Sequence, residues 1–260
     1  MKSTLFTLGW AFCLAFAMVG CKDENTVEEK PEDTATSGTL TLGMDAKWGN
    51  DDFVVEQVYF DTYGNRIRVD KFMSYISEIH LVRADGSEVL LKDFYLADFE
   101  NDVNLNYTVP SGNYVGLKLG LGVPAAYNKH EDPAQYPSSH PLSVAGSQGM
   151  FWYWNTGYIF TKFEGKIDTT GTPGAELLDS FLFHIGDDPY YRELSFTGLN
   201  LNVAPNSPAS LQLNIFVDQI LAPASGTSID LATNAVTHTS ELDVLATSFF
   251  DNYAAAIAVE

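Results

Sequence analysis

The chain has 260 residues, 45% apolar and 13% aromatic, enough for one sizeable hydrophobic core. Its formal charge of -20 and its lack of any Lys/Arg run argue against nucleic acid as a partner, because phosphate binding needs clustered cations. Both cysteines, Cys13 and Cys21, lie near the N-terminus, which excludes disulfides, thiol catalysis and Cys-ligated zinc from the rest of the chain.

Residues 1–20 read as a lipoprotein signal peptide. Lys2 supplies the charged start, and Leu5 to Met18 is an apolar run shorter than a membrane span. Ala17-Met18-Val19-Gly20-Cys21 resembles a lipobox, with Met18 where leucine is commoner, and makes Cys21 the lipidation site. An ordinary cleaved signal or N-terminal anchor is the plainer alternative. Cys21-Lys22-Asp23-Glu24 resembles a surface-export signal. The expected location is therefore the outer membrane, periplasm-facing or on the cell surface, with membrane contact through the lipid only. Residues 21–38 comprise the lipidated cysteine and an acidic, Thr/Ser/Pro-rich tether expected to be disordered. Residues 39–260 form the folded domain.

From Thr39 onward, strand-like runs alternate with turn signals. Thr39–Trp48 and Phe53–Phe60 read as strands, and Tyr63-Gly64-Asn65 as a turn. Lys71–Arg83, Ala84-Asp85-Gly86-Ser87 and Glu88–Leu91 read as a hairpin around an Asp-Gly turn. Pro110-Ser111-Gly112 is another turn, leading into a strand over Asn113–Val123. Residues 124–148 form a long loop with Pro124, Pro133, Pro137 and Pro141; loops of that length in a compact domain are usually functional. Phe151–Lys166, Ser180–Ile185, Tyr190–Phe196 and Ala209–Leu221 complete the strands, and Ser240–Ala256 is expected to hold a short helix. The fold class is all-β, an antiparallel β-sandwich.

The domain's chemistry-bearing residues are few. Trp152 and Trp154 share one face of a strand by the period of two, as a core anchor or as part of a site. Indole nitrogen only donates, so an unmodified tryptophan is no metal ligand through nitrogen. None of the histidines His80, His130, His140, His184 and His238 stands at i, i+2 or i, i+4 from another, so any metal site must be assembled in three dimensions. His140 precedes Pro141 near the end of the long loop and reads as an exposed histidine or a ligand. His184 lies in the apolar run Phe181–Ile185, as a core histidine or a ligand. His80 lies on a similar strand. His130 and His238 have polar neighbours and read as solvated. Asp98, Glu100 and Asp102, and Asp187-Asp188, offer oxygens suited to calcium without following a known loop pattern. No Gly-x-Ser-x-Gly elbow occurs, and no phosphate loop follows Gly116, Gly120 and Gly122.

One stretch is specific. Gly149-Met150-Phe151-Trp152-Tyr153-Trp154-Asn155-Thr156-Gly157-Tyr158, with Lys162 and Glu164-Gly165 after it, resembles the signature of the MbnP-like family of copper-associated periplasmic proteins. Asn113 to Pro124, His140-Pro141-Leu142 and Phe183-His184-Ile185-Gly186 agree in order, as does Tyr75-Ile76-Ser77. The resemblance implies a β-sandwich over 39–260 that binds Cu(I) through histidines and, in some members, a tryptophan oxidised to kynurenine. It implies a dihaem cytochrome c peroxidase-like protein as partner, with the chain as that enzyme's substrate and not itself an enzyme. Carried over, His140 and His184 are the ligands, His80 a third, and Trp152 or Trp154 the modified residue. The lipid anchor departs from the soluble members. Two readings remain beside this one: a surface glycan-binding or adhesion sandwich without metal, and a purely structural domain with both tryptophans in the core.

Overall fold

The computed structural model describes residues 36–129, 132–155, 157–172, 174, 176–239 and 243–260. The expected export signal, Cys21, residues 21–35 of the tether and His130 lie outside the described residues.

The strands are β1 (Ser37–Trp48), β2 (Asp51–Asp52), β3 (Val58–Phe60), β4 (Arg66–Arg83), β5 (Glu88–Asp98), β6 (Val103–Pro110), β7 (Gly112–Leu121), β8 (Phe151–Trp152) and β9 (Gly157–Tyr158). They continue with β10 (Thr161–Asp168), β11 (Asp179–Ile185), β12 (Arg192–Val203), β13 (Pro208–Phe216), β14 (Val236–Thr239) and β15 (Ile257–Val259). Among the described residues three short α-helices intervene: α1 (Ala125–Asn128), α2 (Val217–Leu221) and α3 (Val244–Ala255).

The architecture is a β-sandwich. One sheet has the order β15-β13-β1-β2, with β6 also paired to β1; the other has the order β12-β7-β4-β10-β11-β14, with β3 and β5 also paired to β4. The pairing is mixed, not purely antiparallel: β1 runs parallel to β13, and β11 parallel to β14. These partners are distant in the chain, so no hairpin turn dictates their direction, and short-range turn signals are silent about them.

Alternation builds the core. In β10, Thr161, Phe163, Gly165 and Ile167 point inward, leaving Lys162, Glu164 and Lys166 on the outer face. In β11, Phe181, Phe183 and Ile185 are buried while Leu182 and His184 are half-buried on the outer face. Phe163 packs against Phe72, Phe181 and Phe249 with ring centroids 5.5, 5.3 and 5.6 Å away. The last of these rings comes from α3, which is started by the Asp243 carboxylate accepting from Leu245 N at 2.7 Å.

Several expectations change: β3 covers only Val58–Phe60 of the Phe53–Phe60 run, and α2 takes the Val217–Leu221 end of the Ala209–Leu221 run. The Phe151–Lys166 run is not one strand: β8 and β9 pair as a hairpin, Phe151 with Tyr158 and Trp152 with Gly157, around a turn at 153–155. Aromatic residues carry the same apolar signal in a strand and in a tight turn, so composition concealed the break. The long loop is held at its Pro141-Leu142 end by burial and hydrogen bonds. Leu142 is fully buried, the Tyr75 hydroxyl donates to Pro141 O at 2.9 Å, and the Tyr158 hydroxyl donates to Leu142 O at 2.5 Å.

Candidate functional site

The β8–β9 hairpin folds over the outer face of the larger sheet where β11 meets the edge strand β14. Parallel pairing puts His184 of β11 opposite His238 of β14, with imidazole centroids 5.1 Å apart and planes at 77°. On the other side of β11, Lys162 of β10 is the register partner of His184, and Lys162 Nζ donates to Gly149 O at 3.4 Å as the chain enters the hairpin.

The two tryptophans are close but unequal. Trp152 is 4% exposed and Trp154, in the turn, 63% exposed. Their ring centroids lie 5.3 Å apart, and both rings meet His238, at 5.5 Å from Trp152 and 5.7 Å from Trp154. Trp152 Nε1 donates to His238 Nε2 at 3.1 Å. Gly186, one residue beyond β11, leaves room for this packing: a Cβ there would stand 2.1 Å from Tyr158 O and 3.1 Å from Trp152 Cζ3. The hairpin is also pinned from α1, where Asn128 Oδ1 accepts from Tyr158 N at 2.9 Å and Asn128 Nδ2 donates to Asp188 at 2.8 Å.

Electrostatics tune the pair. His238 is exposed as a residue, yet its ring is packed among Trp152, Trp154 and His184. This loss of hydration, then repulsion from His184 when that ring is protonated and from Lys162, hold its pKa below the ordinary 6.5. His184 Nε2 is paired with Glu164 Oε1. That hydrogen bond is the main cause holding the Glu164 carboxyl below its ordinary 4.5.

A lowered carboxyl pKa means that the unfolded chain takes up the proton more readily, so the contribution of Glu164 is present above the unfolded value and lost below it. The stability advantage of the wild type over Glu164→Gln, read as urea midpoints, is expected to shrink as pH falls through about 4.5. An advantage undiminished well below that pH would contradict the pairing.

The other sequence candidates lie elsewhere. His140 stacks on Tyr136 at 4.4 Å and meets Phe94 edge-on at 5.8 Å, and its Nδ1 accepts from Leu142 N at 3.1 Å. His80 lies at a bulge in β4, with Nδ1 2.6 Å from Glu78 O, beside a cleft lined by Glu88, Lys118 and Tyr191. Asp98 is ion-paired with Lys71 and Asp187 with Lys129, each at 2.6 Å. Among the described residues no three or more His, Cys, Asp or Glu groups gather as a metal cluster. What the geometry offers is a pair of imidazoles, whose nitrogens suit a metal accepting few ligands, beside an indole that is itself no ligand. His238 escaped notice in the sequence because its polar flanks read as solvated; the Val236-Thr237-His238-Thr239 run, rich in β-branched residues, was the available strand signal.

Comparison with known proteins gives a consistent result. A family model described as MbnP matches residues 37–240. A solved structure, MbnP from Methylosinus trichosporium, aligns with a TM-score of 0.51 at 15% sequence identity, covering 75% of this chain and 80% of that chain. Among curated proteins none matches.

Proposed function

The chain belongs to the MbnP family, and from that premise we propose that it is an exported copper-handling lipoprotein whose Cu(I) seat is built on His184 and His238. One observation carries the reading: two imidazoles from adjacent strands lie 5.1 Å apart beneath the paired tryptophans of the family-like segment. Bound Cu(I) would draw on neutral imidazole nitrogens. Trp152 is the position for oxidation to kynurenine, because its nitrogen already lies 3.1 Å from His238 Nε2. The oxidising equivalents would come from a dihaem cytochrome c peroxidase-like partner, with Cys21 anchoring the protein to the outer membrane. The chain has no catalytic role in this reading.

Cu(I) titration against a chromogenic chelator tests the seat. His184→Ala and His238→Ala are each expected to lose tight binding. His140→Ala and His80→Ala run in the same series, because both positions carry the sequence expectation; loss of binding only in those two would move the site. Intact mass of protein made with its haem partner reports on the tryptophan. Exposed Tyr153 and Trp154, at 70% and 63%, favour a second reading, a glycan-binding surface without metal. Sugar binding that survives His184→Ala and His238→Ala, together with no copper uptake by the wild type, would support it.

A further inference from the structure

Both Nε2 atoms of the histidine pair are engaged, and the chemistry of their partners fixes where each proton lies. The Glu164 carboxylate only accepts, so His184 carries a proton on Nε2, and in the neutral ring the lone pair is on Nδ1. The Trp152 indole only donates, so His238 Nε2 must be bare, and in the neutral ring the proton is on Nδ1. The two imidazoles are therefore opposite tautomers. Among the described residues nothing occupies the Nδ1 lone pair of neutral His184, whereas the single lone pair of neutral His238 is taken by the indole N–H.

We propose that Trp152 is a lock on the seat: in the unmodified protein its N–H occupies the lone pair of His238 Nε2 and holds the pair short of a two-nitrogen site. Glu164 is the complementary positioning residue, which keeps His184 Nδ1 open. This rests on the reading that His184 and His238 form the seat, and it adds a control on when that seat can fill. Trp154 has ring contact with His238 and Trp152 but forms no hydrogen bond to either among the described residues, so it cannot lock the nitrogen in this way.

The test uses the full chain, with intact mass confirming unmodified tryptophan, and anaerobic Cu(I) competition as the first readout. Trp152→Phe keeps an aromatic ring over the site and removes the donor. It is expected to bind Cu(I) about fivefold more tightly than the unmodified wild type, the weight of one neutral hydrogen bond. Trp154→Phe, which removes no hydrogen bond to His238, is expected not to tighten binding. The second readout needs neither metal nor variant: nitrogen-15 shifts of labelled histidine should show His238 protonated at Nδ1 and His184 at Nε2. Equal or weaker binding in Trp152→Phe, or His238 protonated at Nε2 in the wild type, overturns the lock. Loss of copper in His184→Ala without gain in Trp152→Phe refutes the lock alone. Undiminished copper binding in His184→Ala and His238→Ala refutes the seat beneath it.

Discussion

Phe163→Ala is expected to destabilise the protein by about 3–5 kcal/mol, the cost of emptying a large aromatic site in a close-packed core. Phe163 is fully buried and meets rings from β4, β11 and α3: Phe72, Phe181, Phe183 and Phe249. No single neighbour can relax into the space without abandoning another. Its strand also carries Lys162 and Glu164 on the opposite face, so loosening the core here loosens the base of the site. Chemical denaturation would give the value. A loss below about 1 kcal/mol would mean that the two sheets can collapse around the hole.

Gly186→Val is expected to disturb the site more than its conservative size suggests. A Cβ at this position meets the Tyr158 carbonyl oxygen at 2.1 Å and Trp152 Cζ3 at 3.1 Å, and the first contact is backbone, which no rotamer change relieves. The β8–β9 hairpin must lift, at about 1–3 kcal/mol for such overpacking. Lifting it pulls Trp152 away from His238. The variant should therefore show the Trp152 fluorescence of a wetter indole and, with the indole N–H withdrawn from His238, tighter Cu(I) binding by the unmodified protein. Unchanged emission and unchanged binding would place the hairpin's anchor elsewhere.

Much of the sandwich was legible from local chemistry. The Asp85-Gly86 turn between β4 and β5 was readable because Gly86 takes a positive φ of 84° in the tight turn, a conformation that glycine tolerates. The C-terminal helix was readable from its run of residues, and its Asp243 cap supplies the start. What stayed hidden is non-local. The parallel partners β1 with β13, and β11 with β14, leave no turn between them to be recognised. Within the site, Trp152, Trp154 and His184 were all singled out, the tryptophans by their spacing and His184 by its apolar run. The fourth member, His238, reads as a solvated residue because four residues of edge strand carry too little apolar signal to announce a strand. The proximity of His184 and His238 is a product of strand register, and register between distant segments is not written in spacing.

The division of labour between the tryptophans follows the same logic. Period-two alternation put them on one strand face, but the turn at 153–155 separates their fates. Trp152 is packed and hydrogen-bonded, whereas Trp154 is at the tip, where a partner protein can reach it. A docked oxidant would thus meet Trp154 first, with Trp152 only 5.3 Å behind it.

The central claim is that copper is held between His184 and His238. Histidine-labelled protein titrated with Cu(I) and followed by nitrogen-15 NMR tests it most directly, because each imidazole reports for itself. The account predicts that the ring nitrogens of His184 and His238 shift together and saturate at one equivalent, while those of His140 and His80 hold their positions. Shifts confined to His140 or His80, with His184 and His238 unmoved, would contradict it.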